Sequence, residues 1–210
     1  DEPASVLLER IKVEHPVSKN KASKTSDNSH YENLPFEIPR NWVWSTLGDL
    51  CDYGKCHSIN ASQIPPNAWV LDLEDIEKDT GCLLAKANKD QRPTSSSKHI
   101  FKQGNVLYSK LRTYLNKVVI ADQDGYCTSE IIPLNFGSYV SPKYARYVLM
   151  SNMFLEYTAQ CGYGVKMPRL GTNDGRRAPF PLPPLKEQHR IVTKAEQTIE
   201  MLNRVMLGLL

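Results

Sequence analysis

No two cysteines in this chain stand two residues apart. The five thiols, Cys51, Cys56, Cys82, Cys127 and Cys161, are odd in number and scattered. A structural zinc site needs closely paired ligands, so none is expected. The thiols read instead as buried or idle groups in a reducing, cytoplasmic setting. Long apolar runs are missing too: no window approaches the roughly 18 residues of a membrane span. The opening, DEPASVLLERIKVEHP, has charges where a signal peptide carries its apolar core, and it begins at Asp1 rather than Met, as an excised fragment would.

Signatures of catalysis are equally scarce. There is no P-loop, and Gly162-Tyr163-Gly164 is a lone glycine pair. An adenine methyltransferase holds its flipped base with an Asn/Asp-Pro-Pro-aromatic string. Pro181-Leu182-Pro183-Pro184 lacks the leading amide or carboxylate and is followed by Leu185. The acidic stretch DLEDIEKD (72–79) lacks the Glu-x-Lys spacing of a metal-dependent nuclease and reads as a solvated edge or turn. His57, His99 and His189 have no evident nucleophile partner. No catalysis, metal or cofactor is expected of the chain itself.

What is present is enough for one core: 210 residues, 40% hydrophobic and 23% charged. The net charge of +3 hides a segregation. Residues 86–117 carry eight bases (Lys86, Lys89, Arg92, Lys98, Lys102, Lys110, Arg112 and Lys117) against Asp90 alone. Residues 164–177 add Lys166, Arg169, Arg176 and Arg177 against Asp174. Such partition suggests one face built for an anion; an unevenly charged solvated surface is the plain alternative.

Along the chain, residues 3–14 predict a short helix with a partial stripe of Val6, Leu7, Ile11 and Val13. Residues 15–33 are rich in Ser, Lys and Asn and read as a flexible linker, whose Lys19, Lys21 and Lys24 suit a solubility tail or weak anion attraction. A mixed α+β domain is expected over 34–180. Its strand-like pieces are 67–76, 105–111, 116–122 and 129–136, and a helix is expected over 141–160 with Ser141 as N-cap and Pro142 at its first position. Trp42 and Trp44 read as core, and 162–177 as a polar, glycine-rich loop. Prolines at 179, 181, 183 and 184 then hold an extended segment that stops helix from propagating back into the domain. Beyond them Ile191, Ala195, Thr198, Leu202, Val205 and Leu209 are spaced 4, 3, 4, 3 and 4, with Val192, Ile199 and Met206 flanking. That is the narrow seam of a coiled-coil helix over 181–210, projecting to meet a partner, with packing on its own domain as the alternative.

Three stretches resemble a known family, the specificity subunits of type I restriction-modification systems. LPFEIPRNWVWSTLGDL resembles the opening of their target recognition domain, and GNVLYSKLRTYLNKVVIA its central strand pair. GYGVKMPRLGTNDGRRAPFPLPPLKEQHRIV resembles its exit into a spacer helix. ASVLLERIKVE, in 1–14, is similar to the end of a preceding spacer helix. The resemblance implies a non-catalytic reader of double-stranded DNA, each recognition domain taking one half of a split site. It also implies modification (methyltransferase) subunits and a restriction subunit as partners. S-adenosylmethionine, ATP and Mg would belong to those partners, and the fragment could form a homodimer through its helix seam.

Three segments supply candidate DNA contacts. In YSKLRTYLNK (108–117), an extended chain would put Lys110, Arg112, Tyr114 and Asn116 on one face, opposite Leu111 and Leu115; Ser109 and Lys117 flank them. Arg can fork onto guanine and Asn onto adenine, while Lys and Tyr suit phosphates. A salt-bridged sheet face and, for Asn116, a turn cap are the alternatives. RPTSSSKH (92–99) offers Arg92, Ser96 and Lys98, or is a plain surface loop. The 162–177 segment offers Tyr163, Lys166, Arg169 and Thr172, while Arg176 and Arg177 suit a spacer helix or methyltransferase equally well. Two other readings stay open: a protein-interaction adaptor working through the helix seam, and the recognition-domain fragment of a DNA methyltransferase.

Overall fold

A computed structural model describes residues 2–14, 35–164 and 166–208. The expected linker and its lysines, and Leu209 of the seam, lie outside the described residues. Helix α1 (Ala4–Glu14) buries Ala4, Leu7, Leu8 and Ile11, a 3-4 spaced stripe. Val6 and Val13, expected in that stripe, face out because it is centred one residue along, on Leu8. The helix packs on β1 (Val43–Thr46) and on the single turn α2 (Leu47–Leu50), which is capped by the Thr46 hydroxyl accepting from the Asp49 N–H.

Strand β1 pairs antiparallel with β10 (Pro179–Leu182). The proline segment is thus a buried strand. Pro179 and Pro181 share parity, so both can turn their missing N–H away from β1. The Pro181 carbonyl, on that outer side, accepts from the Tyr144 hydroxyl at 2.8 Å.

A five-stranded sheet runs in the order β2 (Ser58–Ile59), β5 (Lys98–Phe101), β8 (Gly125–Cys127), β3 (Trp69–Leu71), β4 (Ala87–Asn88), with only β3 and β8 parallel. A three-stranded antiparallel sheet is ordered β7 (Val118–Ile120), β6 (Val106–Ser109), β9 (Ile131–Leu134). Strand β6 is buried on both faces. Val106 and Tyr108 join one core with α1, α2 and the helices below, while Leu107 joins a second with Trp69, Leu71, Phe101 and Cys127 of the larger sheet. Trp44 is core, as expected. Burial pushes the Cys51 and Cys127 thiols up, away from the reactive thiolate.

The helix expected over 141–160 is two: α3 (Pro142–Leu149) and α4 (Asn152–Cys161). Ser151 breaks it by capping α4, its hydroxyl accepting from the Phe154 N–H at 3.3 Å and donating to the Val148 carbonyl at 2.7 Å. The segment expected as loop contains α5 (Thr172–Arg177). Gly175 sits in α5 because a Cβ there would stand 2.1 Å from the Tyr53 ring.

The final helix, α6 (Leu185–Met206), is both packed and free. Its first turns lie on α3, with Val192 buried and Lys143 paired to Glu196 at 2.8 Å. Gln188 is fully buried: its amide oxygen accepts from the Ser141 N–H at 2.8 Å, and its amide nitrogen donates to the carbonyls of Tyr139 and Pro183 at 3.2 and 3.1 Å. Every residue from 196 to 208 is exposed, including Thr198, Leu202 and Val205 of the seam; Ile191 and Ala195 are half-buried against the domain. No helix among the described residues is long and apolar enough to cross a membrane.

Candidate nucleic-acid interface

The 108–117 stretch is not extended. Strand β6 ends at Ser109. Lys110 stays in the sheet margin, its N–H on the Glu130 carbonyl at 3.0 Å and its own carbonyl accepting from Leu170 at 2.9 Å. Arg112 then adopts a left-handed conformation (φ 50°, ψ 59°), Thr113–Leu115 form a 3-10 turn, and Asn116 is left-handed again (φ 50°, ψ 48°). The alternation expected of Lys110, Arg112, Tyr114 and Asn116 therefore fails. Asn116 is the turn cap, a place Asn tolerates well, and its buried amide donates to the Met150 carbonyl at 3.1 Å. Ser109 is also buried, its hydroxyl donating to the Leu111 carbonyl at 2.9 Å, and Lys117 donates to the Leu73 carbonyl at 2.7 Å. These three serve the turn. Tyr114 is exposed, and Lys110 and Arg112 make no ion pair among the described residues.

Two candidates from 92–99 are committed inside the protein. The Arg92 fork lies on both carboxylate oxygens of Asp75, which is 2% exposed, with Asp72 at 3.6 Å. That contact holds the Arg92 guanidinium above its ordinary pKa. Lys98 is buried, 3.3 Å from Asp72. Neither is available for DNA; DLEDIEKD is a turn, as its alternative reading had it, with Leu73–Asp75 in a 3-10 turn and Glu74, Lys78 and Asp79 exposed, while Asp72 and Asp75 are the counter-charge for these bases. Ser96 is exposed, its hydroxyl 3.5 Å from that of Thr94.

The 162–177 segment meets the 109–112 margin directly. Leu111 bridges Arg169, and the Arg112 N–H donates to the Pro168 carbonyl at 2.7 Å. The Arg169 guanidinium chelates Glu130 at 3.1 to 3.3 Å, which raises its pKa and occupies its fork. Tyr163 and Lys166 are exposed, and Thr172 opens α5 at the surface. Arg176 donates to the Tyr53 carbonyl at 3.0 Å and Arg177 to Asp174 at 2.9 Å.

Between these segments lies a cleft of about 400 Å³ lined by Asp72, Leu73, Glu74, Ser109, Leu111, Arg112, Leu115, Lys117, Thr128 and Met167. Asp72, Leu73, Glu74, Thr128 and Met167 were absent from the sequence-derived candidates. They come from three separate loops, and no local pattern ties them to residues 109–117. Lys110, Arg112 and Lys166 make no ion pair among the described residues, and Tyr114, Tyr163 and Met167 are exposed; of these six, Arg112 and Met167 line the cleft. Among the described residues, no group of three His, Cys, Asp or Glu could hold a metal ion.

Residues 39–205 match the model of the type I restriction modification DNA specificity domain. The chain is 30% identical over 182 residues to the specificity subunit of the type I restriction enzyme EcoDI of Escherichia coli, an overlap of 87% of this chain and 39% of that one. It is 25% identical over 223 residues to the EcoAI specificity subunit of the same organism, covering 98% and 37% of the two chains. It superposes on the HsdS subunit of Thermoanaerobacter tengcongensis with a TM-score of 0.69 at 23% identity, over 81% of this chain and 45% of that. A structure addressing complex assembly and conformational transition of the type I R-M system gives a TM-score of 0.70 at 24% identity, over 82% and 45%. These two likenesses show the fold. The chain spans less than half the length of the relatives it matches. With a family match across most of its length, the chain belongs to the type I restriction modification DNA specificity domain family.

Proposed function

We propose that this chain reads one half of a bipartite double-stranded DNA site and so targets the methyltransferase and restriction subunits of a type I restriction-modification complex. The observation that carries it is that Lys110, Arg112 and Lys166 make no ion pair among the described residues, with Tyr114 and Tyr163 exposed in the same two segments, while neighbouring bases are neutralised inside the fold. Cations left without internal partners are what phosphate and base-edge contacts require. In this reading residues 35–182 form the recognition domain, α1 ends a preceding spacer helix, and the exposed half of α6 pairs with another helix that sets the half-site separation. The chain supplies no chemistry; S-adenosylmethionine, ATP and Mg are held by its partners, in the cytoplasm.

The test is selection from a randomised duplex pool by the protein that carries this chain, assembled with its methyltransferase subunits. The wild type is expected to enrich a split motif. Lys110→Glu/Arg112→Glu is expected to blur one half and leave the other intact. An unchanged motif in the double variant would move the interface elsewhere, and no motif with the wild type would leave an adaptor role in place of DNA reading.

A further inference from the structure

Most polar groups around the 400 Å³ cleft are already spent. Asp72 is held by Lys98 and Arg92, Lys117 by the Leu73 carbonyl, and the Ser109 hydroxyl by the Leu111 carbonyl. Two charges of opposite sign are not. Arg112 has no ion pair among the described residues, and its Nε is buried with no acceptor. Glu74 is exposed, carries no hydrogen bond or ion pair among the described residues, and is felt by Arg92 only at longer range. Although both line one cleft, they do not pair with each other.

Arg112 is also one of three non-glycine residues with positive φ among the described residues, the others being Asp79 and Asn116. Asn and Asp adopt that conformation readily, whereas Arg has no side chain suited to it. The Pro168 and Leu115 contacts fix it there, with the Arg112 N–H on one carbonyl at 2.7 Å and its own carbonyl accepting from Leu115 at 2.8 Å. A strained backbone and an unsatisfied donor at one residue are spent on holding that guanidinium at the cleft.

Building on the DNA-reading function proposed above, we infer that the Arg112–Glu74 cleft is the specificity site for a G·C base pair, Arg112 reading guanine and Glu74 reading cytosine. In the major groove a G·C pair shows two acceptors, guanine N7 and O6, and then one donor, the cytosine N4 amine. A cation followed by a carboxylate complements that order. An A·T pair puts its donor between two acceptors, so a carboxylate beside the arginine would face thymine O4 and be repelled. A carboxylate on a phosphate-binding face costs affinity, so its place here is accounted for by an exocyclic amine.

The randomised-pool selection described above tests this with Glu74→Gln and Arg112→Gln. Glu74 is exposed and carries no hydrogen bond or ion pair among the described residues, so its variant reports recognition. Both changes are expected to relax the same single G·C position, by about tenfold or more in base discrimination, while every other position of the motif holds. Duplex carrying 7-deazaguanine at that position should weaken the wild type and leave Arg112→Gln unaffected. A Glu74→Gln motif identical to wild type overturns the inference and leaves DNA reading standing. So does uniform tightening on all sequences, which would mean that the carboxylate only repels phosphates. A wild type that enriches no motif removes both readings together.

Discussion

At the scale of single residues, the question is which cations are free. Arg92, Lys98 and Arg169 look like Lys110 and Arg112 in the sequence, yet their charges are consumed by acids 17, 26 and 39 residues away. The Arg92–Asp75 contact matters most because Asp75 is almost wholly buried. Arg92→Ala leaves that carboxylate without its counter-charge, and the expected cost is about 3–5 kcal/mol of stability, read from the urea midpoint. Removing Lys102 from its exposed pair with Asp124 is expected to leave the midpoint where it was. Composition therefore showed the basic segregation, and family resemblance implied what kind of partner it would suit. Which bases face outward could not be read, because neutralisation is a tertiary contact with no local spacing. The same holds for Asn116, whose left-handed cap came from a turn that alternation of Lys, Arg and Tyr did not reveal.

At the scale of elements, the PLPPLKEQ string joins the domain to its helix through backbone groups. Pro179 and Pro181 belong to a strand against β1, and Gln188, nine residues past Pro179, satisfies a Ser141 N–H and two carbonyls from inside the fold. The sequence showed an abrupt change from extended to helical chain; it did not show that the extended part was half of a two-stranded sheet, because its partner lies more than a hundred residues earlier. The helix over 141–160 was legible as apolar periodicity, but a single serine cap divided it. Gln188→Ala strands one buried and two part-buried polar groups at once. The expected loss is about 1–3 kcal/mol, as a lowered urea midpoint at unchanged slope, and Gln188→Glu should not restore it, since a carboxylate cannot donate to the Tyr139 and Pro183 carbonyls.

For the whole molecule, the two surfaces proposed to do the work are the cleft and the outer half of α6. The first turns of α6 are anchored by Val192, Gln188 and the Lys143–Glu196 pair, while Ile199, Leu202, Val205 and Met206 are all exposed, Met206 to 83%. An apolar stripe on an anchored helix stays exposed only until a partner covers it, and a seam spaced for coiled-coil packing accepts another helix. In the absence of other subunits the nearest such helix is a second copy of α6. The chain is therefore expected to self-associate with rising concentration in sedimentation velocity, and Leu202→Lys/Val205→Lys to hold it monomeric at the same loading. Because both positions lie beyond the anchored turns, the double variant should unfold at the wild-type urea midpoint, which separates lost pairing from lost folding. A wild type that stays monomeric throughout would instead reserve the seam for a helix of the larger protein, and the double variant would then be expected to fail in assembling with the methyltransferase subunits.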